Sequence, residues 1–336
     1  GEVMRGSAVR LIIRPAFLSG LLALSMVIAA WLWVAQTLDR PGPHSDDAVV
    51  TITAGSGHAT VRWELQRAGV LHQIYHYDAA RMLAGKKFVP KAGEYLLPAA
   101  ANLRQIMDIL HAGKSLQRRL TIVEGQTSAE VIAALDAMQH LTGSIDPGVA
   151  EGSLFPDTYF YTYATKRGDL ITRMQDKMQM SLLAGWVNRQ ADLPYSTPEE
   201  ALIMASIIEK EAANSAERRL VAAVLVNRLR RVMRLQSDPT VRYGITIDRP
   251  RPISKADLRR KTPWNTYMIA GLPKTAICNP SLDSIDAALH PADSDFLYFV
   301  SDGFGGLRFA KTLDVHNKNV RLYRQVEGQN PKGSKP

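Results

Sequence analysis

Cysteine is nearly absent. Cys278 stands alone among 336 residues, which excludes an internal disulfide and any metal site built from clustered cysteines. It reads as a small buried apolar side chain. The eight histidines are scattered, none in a spacing such as His-Glu-x-x-His, so no metal is expected. Neither a Gly-x-Ser-x-Gly elbow nor a P-loop occurs. The glycine-rich stretch Asp302–Gly306 lacks the fingerprint and the context of a nucleotide site and reads as a hairpin turn, so no cofactor is expected. Acidic residues are in deficit, 32 against 41 Lys and Arg, giving a net charge of +9 and a pI of about 9.6. A basic chain suits nucleic acid, anionic lipid or an acidic polymer. The cations are dispersed, however, and no basic-aromatic motif points to nucleic acid. With 46% hydrophobic residues the chain can bury a sizeable core divided over two or three domains.

What is present without interruption is an apolar run. Pro15 to Leu38 carries no charge, and about 20 such residues suffice for a transmembrane helix. Arg5, Arg10 and Arg14 precede it, whereas Asp39, Asp46 and Asp47 follow. The positive-inside rule therefore places residues 1–14 in the cytoplasm and everything after Asp39 outside the cytoplasmic (inner) membrane. Trp31 and Trp33 suit an interfacial belt. A cleaved signal peptide is the rival reading; the length of the run and the lack of a small-x-small site after it favour a retained single-pass anchor. The chain opens without methionine, and Gly1 to Val3 are set aside as either foreign residues or a mis-assigned start.

After the anchor, 39–48 reads as a polar Pro/Gly linker. Residues 49–117 read as a small α+β module: strand 49–53, helix 58–69, helix 75–83, strand 91–97 and helix 103–111. A near-repeat follows, with strand 119–123 and helix 127–138 capped by Thr127 or Ser128. Strand, turn and helix units of this size resemble small glycan-binding modules. Glu151–Tyr161 is an aromatic loop with two acids, Glu151 and Asp157. Its Phe155, Tyr159, Phe160 and Tyr161 suit either a cleft for sugar rings or a seam between domains. A helix over 169–184 with Asp169 as cap follows. Later elements are a helix over 216–231, polar turns over 234–244 and 262–267, a short helix over 284–288, a strand over 295–300 and a hairpin into 307–310. Residues 328–336 read as a disordered tail.

The stretch Thr197 to Glu217 organises the rest. Thr197 reads as N-cap, Pro198 suits the first helical position and Glu200 completes a Thr-x-x-Glu box, while Asn214-Ser215 reads as the stop. Two carboxylates close this helix, Glu209 and Glu211. Glu211 shares a face with Met204, Ile207 and Ile208; Glu209 shares one with Leu202, Ala205 and Ser206, which is smaller and more polar. Burial and the negative end of the helix dipole both push the Glu211 carboxyl toward its neutral form, as a general acid near neutral pH requires. A solvated helix end would carry the same Glu-Lys-Glu run.

An extracytoplasmic domain with a candidate buried acid and polar-aromatic loops fits work on a neutral polar polymer such as a glycan. The residues that sharpen this are Ser206–Glu211, Ser215–Arg218, Asn227–Leu229, Met233–Thr240, Asn265–Tyr267, Gly271–Pro273, Asn279-Pro280, Tyr298–Val300 and the loop Glu151–Tyr159. Together and in this order they resemble the YceG-like endolytic murein transglycosylases (MltG family). The chain departs from that pattern at Leu307, where relatives often carry histidine, and at Trp264, where tyrosine is usual. The resemblance covers nearly the whole chain and implies an α+β protein with a single transmembrane helix, a LysM-like module over 49–117 and a mixed helical, goose-lysozyme-like catalytic domain with added strands over 118–327. It implies an enzyme without cofactor that acts on peptidoglycan glycan strands. The implied reaction cleaves the β-1,4 bond between N-acetylmuramic acid and N-acetylglucosamine, leaves 1,6-anhydro ends and terminates glycan elongation. Glu211 is the expected acid/base, with Glu209 in reserve and Glu217 as a supporting acid. Gln236, Asp238, Thr240, Tyr243, Asn265, Tyr267, Glu151, Asp157 and Tyr159 are the expected glycan contacts. The resemblance also implies a partnership with peptidoglycan synthases (penicillin-binding proteins). A lysozyme-like muramidase, with Glu151 or Asp157 as second carboxylate, and a non-catalytic glycan-binding scaffold are the alternatives.

Overall fold

The computed structural model describes residues 6–85, 88–212, 214–245 and 252–329. The chain packs as two units, 1–118 with 162–164 and 119–161 with 165–336.

The first unit begins with α1 (Gly6–Asp39), whose stretch Phe17–Asp39 is long and apolar enough to cross a bilayer. It continues with β1 (Ala48–Ile52), α2 (His58–Arg67), α3 (Ile74–Ala84), β2 (Gly93–Leu97) and α4 (Leu103–Ala112). β1 and β2 pair antiparallel with Val50 opposite Tyr95. Alternation along β1 turns Val50 and Ile52 inward and leaves Val49 exposed, as the two-residue period of a strand demands. The helices cover the inner face with Val61, Leu65, Tyr77, Ile106 and Leu110. Asn102 and Gln105 form a reciprocal box at the start of α4, and Gly113 ends it in the left-handed region. The order strand, helix, helix, strand, helix is the one the sequence implies. The segment expected as a linker is tied down: the Gly42 amide donates to Ala100 O at 3.0 Å and the Ala100 amide to His44 O at 2.9 Å.

The second unit takes in β3 (Arg118–Thr121), α5 (Ser128–Asp136), β4 (Thr158–Tyr161), α6 (Arg167–Val187), α7 (Pro198–Glu211), α8 (Ser215–Arg230), α9 (Asp238–Gly244), α10 (Lys255–Arg259), α11 (Leu282–Leu289), β5 (Tyr298–Ser301), β6 (Leu307–Ala310) and α12 (Leu313–Gln329). β3 pairs with β4, and β5 with β6. Helix α6 joins two cores. Its first half sends Leu170, Ile171 and Met174 against Val131, Leu135 and Tyr159; its second half sends Met178 and Leu182 into the core around α7 and α8. Helix α7 is central. Ala201, Met204, Ala205, Ser206, Ile207 and Ile208 are all buried, so it is enclosed on almost every side.

Several boundaries differ from expectation, each for a local reason. Thr197 caps α7 through the Glu200 amide, but the Glu200 carboxylate accepts from the Ser196 amide at 2.6 Å, so the box is not reciprocal. Asn214 does not stop α7. Ala212 already turns extended after Glu211, and the Asn214 side chain caps α8 by accepting from the Glu217 amide at 2.9 Å. Asp169 lies in the first turn of α6 rather than at its cap, which is Lys166. The aromatic loop 151–161 ends as β4, the polar turn 234–244 holds α9, and α10 and α12 add to the expected elements. Helix α12 runs two residues into the expected tail; the rest of that tail, and the expectations on residues 1–5, lie outside the described residues.

Candidate active site

Glu211 is the last residue of α7. It lines a cleft of about 1300 Å³ together with Gly125, Thr127, Glu130, Glu151, Lys210, Asp238, Arg242 and Tyr243. Ser237, itself buried, donates its hydroxyl to Glu211 Oε1 at 2.6 Å. Burial pushes the Glu211 carboxyl up to about 7; the Ser237 hydrogen bond opposes the shift, the Asp238 charge adds to it and Arg228 lowers it. Desolvation wins because burial penalises only the charged form. A carboxylic acid that is still protonated near pH 7 and opens onto a cleft can give a proton to a leaving oxygen and, once ionised, take one back.

Arg228 holds the Ser237 loop in place. Its guanidinium is buried and donates to Leu297 O at 2.7 Å, Arg234 O at 3.2 Å, Leu235 O at 3.0 Å and Gln236 Oε1 at 3.2 Å. It also lies over the Tyr298 ring at 5.2 Å. Gln236 takes a positive φ of 51°, and the Ser237 amide donates to Thr266 Oγ1 at 2.9 Å. A strained residue persists where its surroundings over-determine it, and here the result is a serine hydroxyl aimed at the acid.

The expected site residues fall into two groups. Glu151, Asp238 and Tyr243 line the Glu211 cleft. The Tyr243 hydroxyl donates to Glu151 Oε2 at 3.0 Å, and Asp238 Oδ1 accepts from Tyr267 OH at 2.7 Å. The others are not among the residues that line the cleft. Thr240 is buried and donates to Ser237 O at 2.6 Å. Asn265 is buried and its amide donates to Arg260 O at 2.7 Å, while Gln236 is held by Arg228. Asp157 pairs with Lys177. Tyr159 is buried and donates to Phe155 O at 2.6 Å. Phe155 and Tyr161 are buried as well, so the aromatic loop builds core rather than a sugar platform; Phe160 alone of the four is exposed, at 54%.

Glu209 sits in a different environment from the small polar face expected for it. Its side chain is only 6% exposed. It accepts from Arg218 Nη2 at 3.2 Å and from the Ser281 amide and hydroxyl at 2.8 and 2.5 Å. It ties the end of α7 to the starts of α8 and α11. Glu217 occupies the first turn of α8 and accepts from the Leu307 amide at 2.8 Å. Trp264 donates Nε1–H to Thr275 at 2.8 Å and packs edge-on against Tyr243.

Sequence reasoning passed over Ser237, Arg228 and Lys210. Lys210 lines the cleft beside the acid and donates to Gly125 O at 3.2 Å; its signal was its place between two glutamates at a helix end. Ser237 and Arg228 lay inside motifs already noted, but their pairing joins separate segments. Among the described residues no cluster of His, Cys, Asp and Glu is fit to hold a metal ion.

Comparisons with known proteins point one way. The model of the YceG-like family matches residues 50–322. An endolytic murein transglycosylase of Bacillus subtilis (strain 168) is 40% identical over 174 residues, which is 52% of this chain and 48% of that protein. One of Streptococcus pneumoniae serotype 2 (strain D39 / NCTC 7466) is 34% identical over 176 residues, 51% of this chain and 31% of that protein. The matched stretch thus spans about half or less of these curated relatives. The crystal structure of a yceG-like protein from Listeria monocytogenes superposes with a TM-score of 0.50 at 28% identity, covering 81% of this chain and 98% of that one.

Proposed function

Because this chain belongs to the YceG-like family, we propose that the Glu211 cleft is the active site of an endolytic murein transglycosylase. The substrate is an uncrosslinked peptidoglycan glycan strand. Glu211 protonates the glycosidic oxygen between N-acetylmuramic acid and N-acetylglucosamine, and the bond from that oxygen to the muramoyl anomeric carbon breaks. The muramoyl 6-hydroxyl attacks the same carbon, its proton passes to the Glu211 carboxylate, and a 1,6-anhydro end results with the acid regenerated. One carboxyl group serves both steps, whereas ordinary glycosidases need two. The observation that carries the reading is a cleft-lining carboxyl whose burial pushes it up to about 7. The muramidase alternative needs a second carboxylate facing the sugar. Glu151 shares the cleft, but Oε1 accepts from the Ser128 amide at 2.8 Å and Oε2 from Tyr243.

The same reading takes α1 as a single-pass anchor with its N-terminus in the cytoplasm, the β1–α4 unit as a LysM-like glycan-binding module and the second unit as a lysozyme-like catalytic domain. Partnership with peptidoglycan synthases belongs to it as well, and co-purification from membranes tests that part. The central test incubates this chain, wild type and Glu211→Gln, in detergent with uncrosslinked strands and reads the products by mass spectrometry. Anhydro ends from wild type and none from the variant are expected. Reducing ends mean a hydrolase. Binding without cleavage by either protein means a scaffold, and cleavage by the variant moves the acid to Glu209 or Glu217.

A further inference from the structure

The end of α1 is built into the first unit rather than hung from it. Leu38 is buried in the core of that unit. Asp39 accepts from Arg104 Nε and Nη2 at 2.8 and 3.2 Å. Trp33 meets His76 edge-on at 5.9 Å. Trp31, Ala35 and Leu38 line a cavity of about 330 Å³ with Ala80, Leu83 and Ala84 of α3. The following segment has no slack either, since the Ala99 amide donates to Asp47 at 2.9 Å.

This docking sets the depth of α3. A hydrocarbon layer of about 30 Å takes about 20 helical residues. Counted from Pro15, where the charge-free run begins, such a span leaves the hydrocarbon near Val34. Helix α3 packs against α1 between Trp31 and Leu38, which is the level of the acyl–headgroup boundary. At that level α3 exposes Tyr75 at 52%, Met82 at 77% and Leu83 at 47%. Tyr75 and Met82, seven apart, share one face, and the exposed Arg81 sits beside them. Tyrosine suits the interface, and a nearby cation suits anionic headgroups.

We infer that α3 is an interfacial helix whose Tyr75, Met82 and Leu83 insert at the acyl–headgroup boundary of the outer leaflet, so that the β1–α4 module lies against the bilayer instead of swinging on a tether. This rests on the reading of α1 as a membrane anchor and goes beyond it. The test reconstitutes the full chain in vesicles of phosphatidylcholine and phosphatidylglycerol, with one nitroxide label at Met82→Cys and, in a separate protein, at Leu24→Cys. Native Cys278 is buried and stays unlabelled. Power saturation then compares relaxation by lipid-soluble oxygen with relaxation by a water-soluble nickel chelate. Oxygen is expected to dominate at both positions, more strongly at Leu24. Oxygen dominating at Leu24 with the chelate dominating at Met82 overturns the interfacial placement and leaves the anchor standing. The chelate dominating at both overturns the anchor and the placement with it.

Discussion

Ser237 donates to Glu211 Oε1 across 2.6 Å although the two residues stand 26 apart in sequence. This bond stabilises the charged form of Glu211 and thereby limits how far burial raises its pKa. A hydrogen bond to a charged group is worth about 1.5–3 kcal/mol, and one pKa unit is about 1.4 kcal/mol. Ser237→Ala should therefore move the descending limb of kcat/KM upward by roughly one to two pH units. A pH–rate profile checks this. A loss of activity at all pH values with the limb unmoved would show that Ser237 only supports the fold.

Glu211 also couples stability to pH. Its folded value of about 7 lies above the ordinary 4.5, so the folded state binds its proton more tightly than the unfolded state does. The stability this gives is complete below about 4.5 and is lost as pH rises to about 7, a change of roughly 3 kcal/mol. Glu211→Gln carries a neutral isostere that can still accept from Ser237. It should flatten this pH dependence in thermal unfolding and be the more stable protein at pH 8, while losing at least about 100-fold in turnover. A variant with the wild-type slope would mean that the carboxyl is not desolvated.

The course of α7 was legible because its signals are local: a capping threonine, a proline in the first turn and apolar spacing that put Glu211 over Met204, Ile207 and Ile208. The expected start of α8 falls within one residue of the observed one, but Asn214 caps α8 rather than stopping α7, because asparagine suits the end of one helix as well as the beginning of another. Glu209 was misjudged because its partners Arg218 and Ser281 come from other elements, the latter 72 residues away. The same holds for the Arg228 brace, whose acceptor Leu297 is 69 residues distant. The aromatic loop carried a signal that went unused. Tyr159 and Tyr161 alternate with Phe160, which is strand spacing with two rings inward and one outward.

Glu209 and Arg218 form a pair that is almost dry, with side chains 6% and 14% exposed. Removing one partner of such a pair leaves a charge without compensation and costs about 3–5 kcal/mol. Arg218→Ala should therefore destabilise strongly, Glu209→Gln somewhat less because the amide still accepts from Ser281, and the double variant by much less than the sum. Denaturant unfolding of the four proteins measures this coupling. Additive effects would show that the two groups act independently.

Glu151 separates the two chemistries weighed in the proposal for the Glu211 cleft. Its carboxylate accepts from the Ser128 amide in the first turn of α5 and from the Tyr243 hydroxyl, so both oxygens are held by protein. In the single-acid reading Glu151 shapes the cleft and complements the positive end of α5, a contribution of about 1 kcal/mol. Glu151→Gln keeps an acceptor for the Ser128 amide. It should retain turnover within about tenfold and still give anhydro ends, with a modest fall in melting temperature. A hydrolase that used Glu151 as its second carboxylate would instead lose about 100-fold or more, with the same modest fall in melting temperature. Turnover and product ends on the same preparation separate the cases, because the first reading spares the chemistry and keeps anhydro ends whereas the second loses turnover and gives reducing ends; thermal unfolding confirms that both proteins are folded.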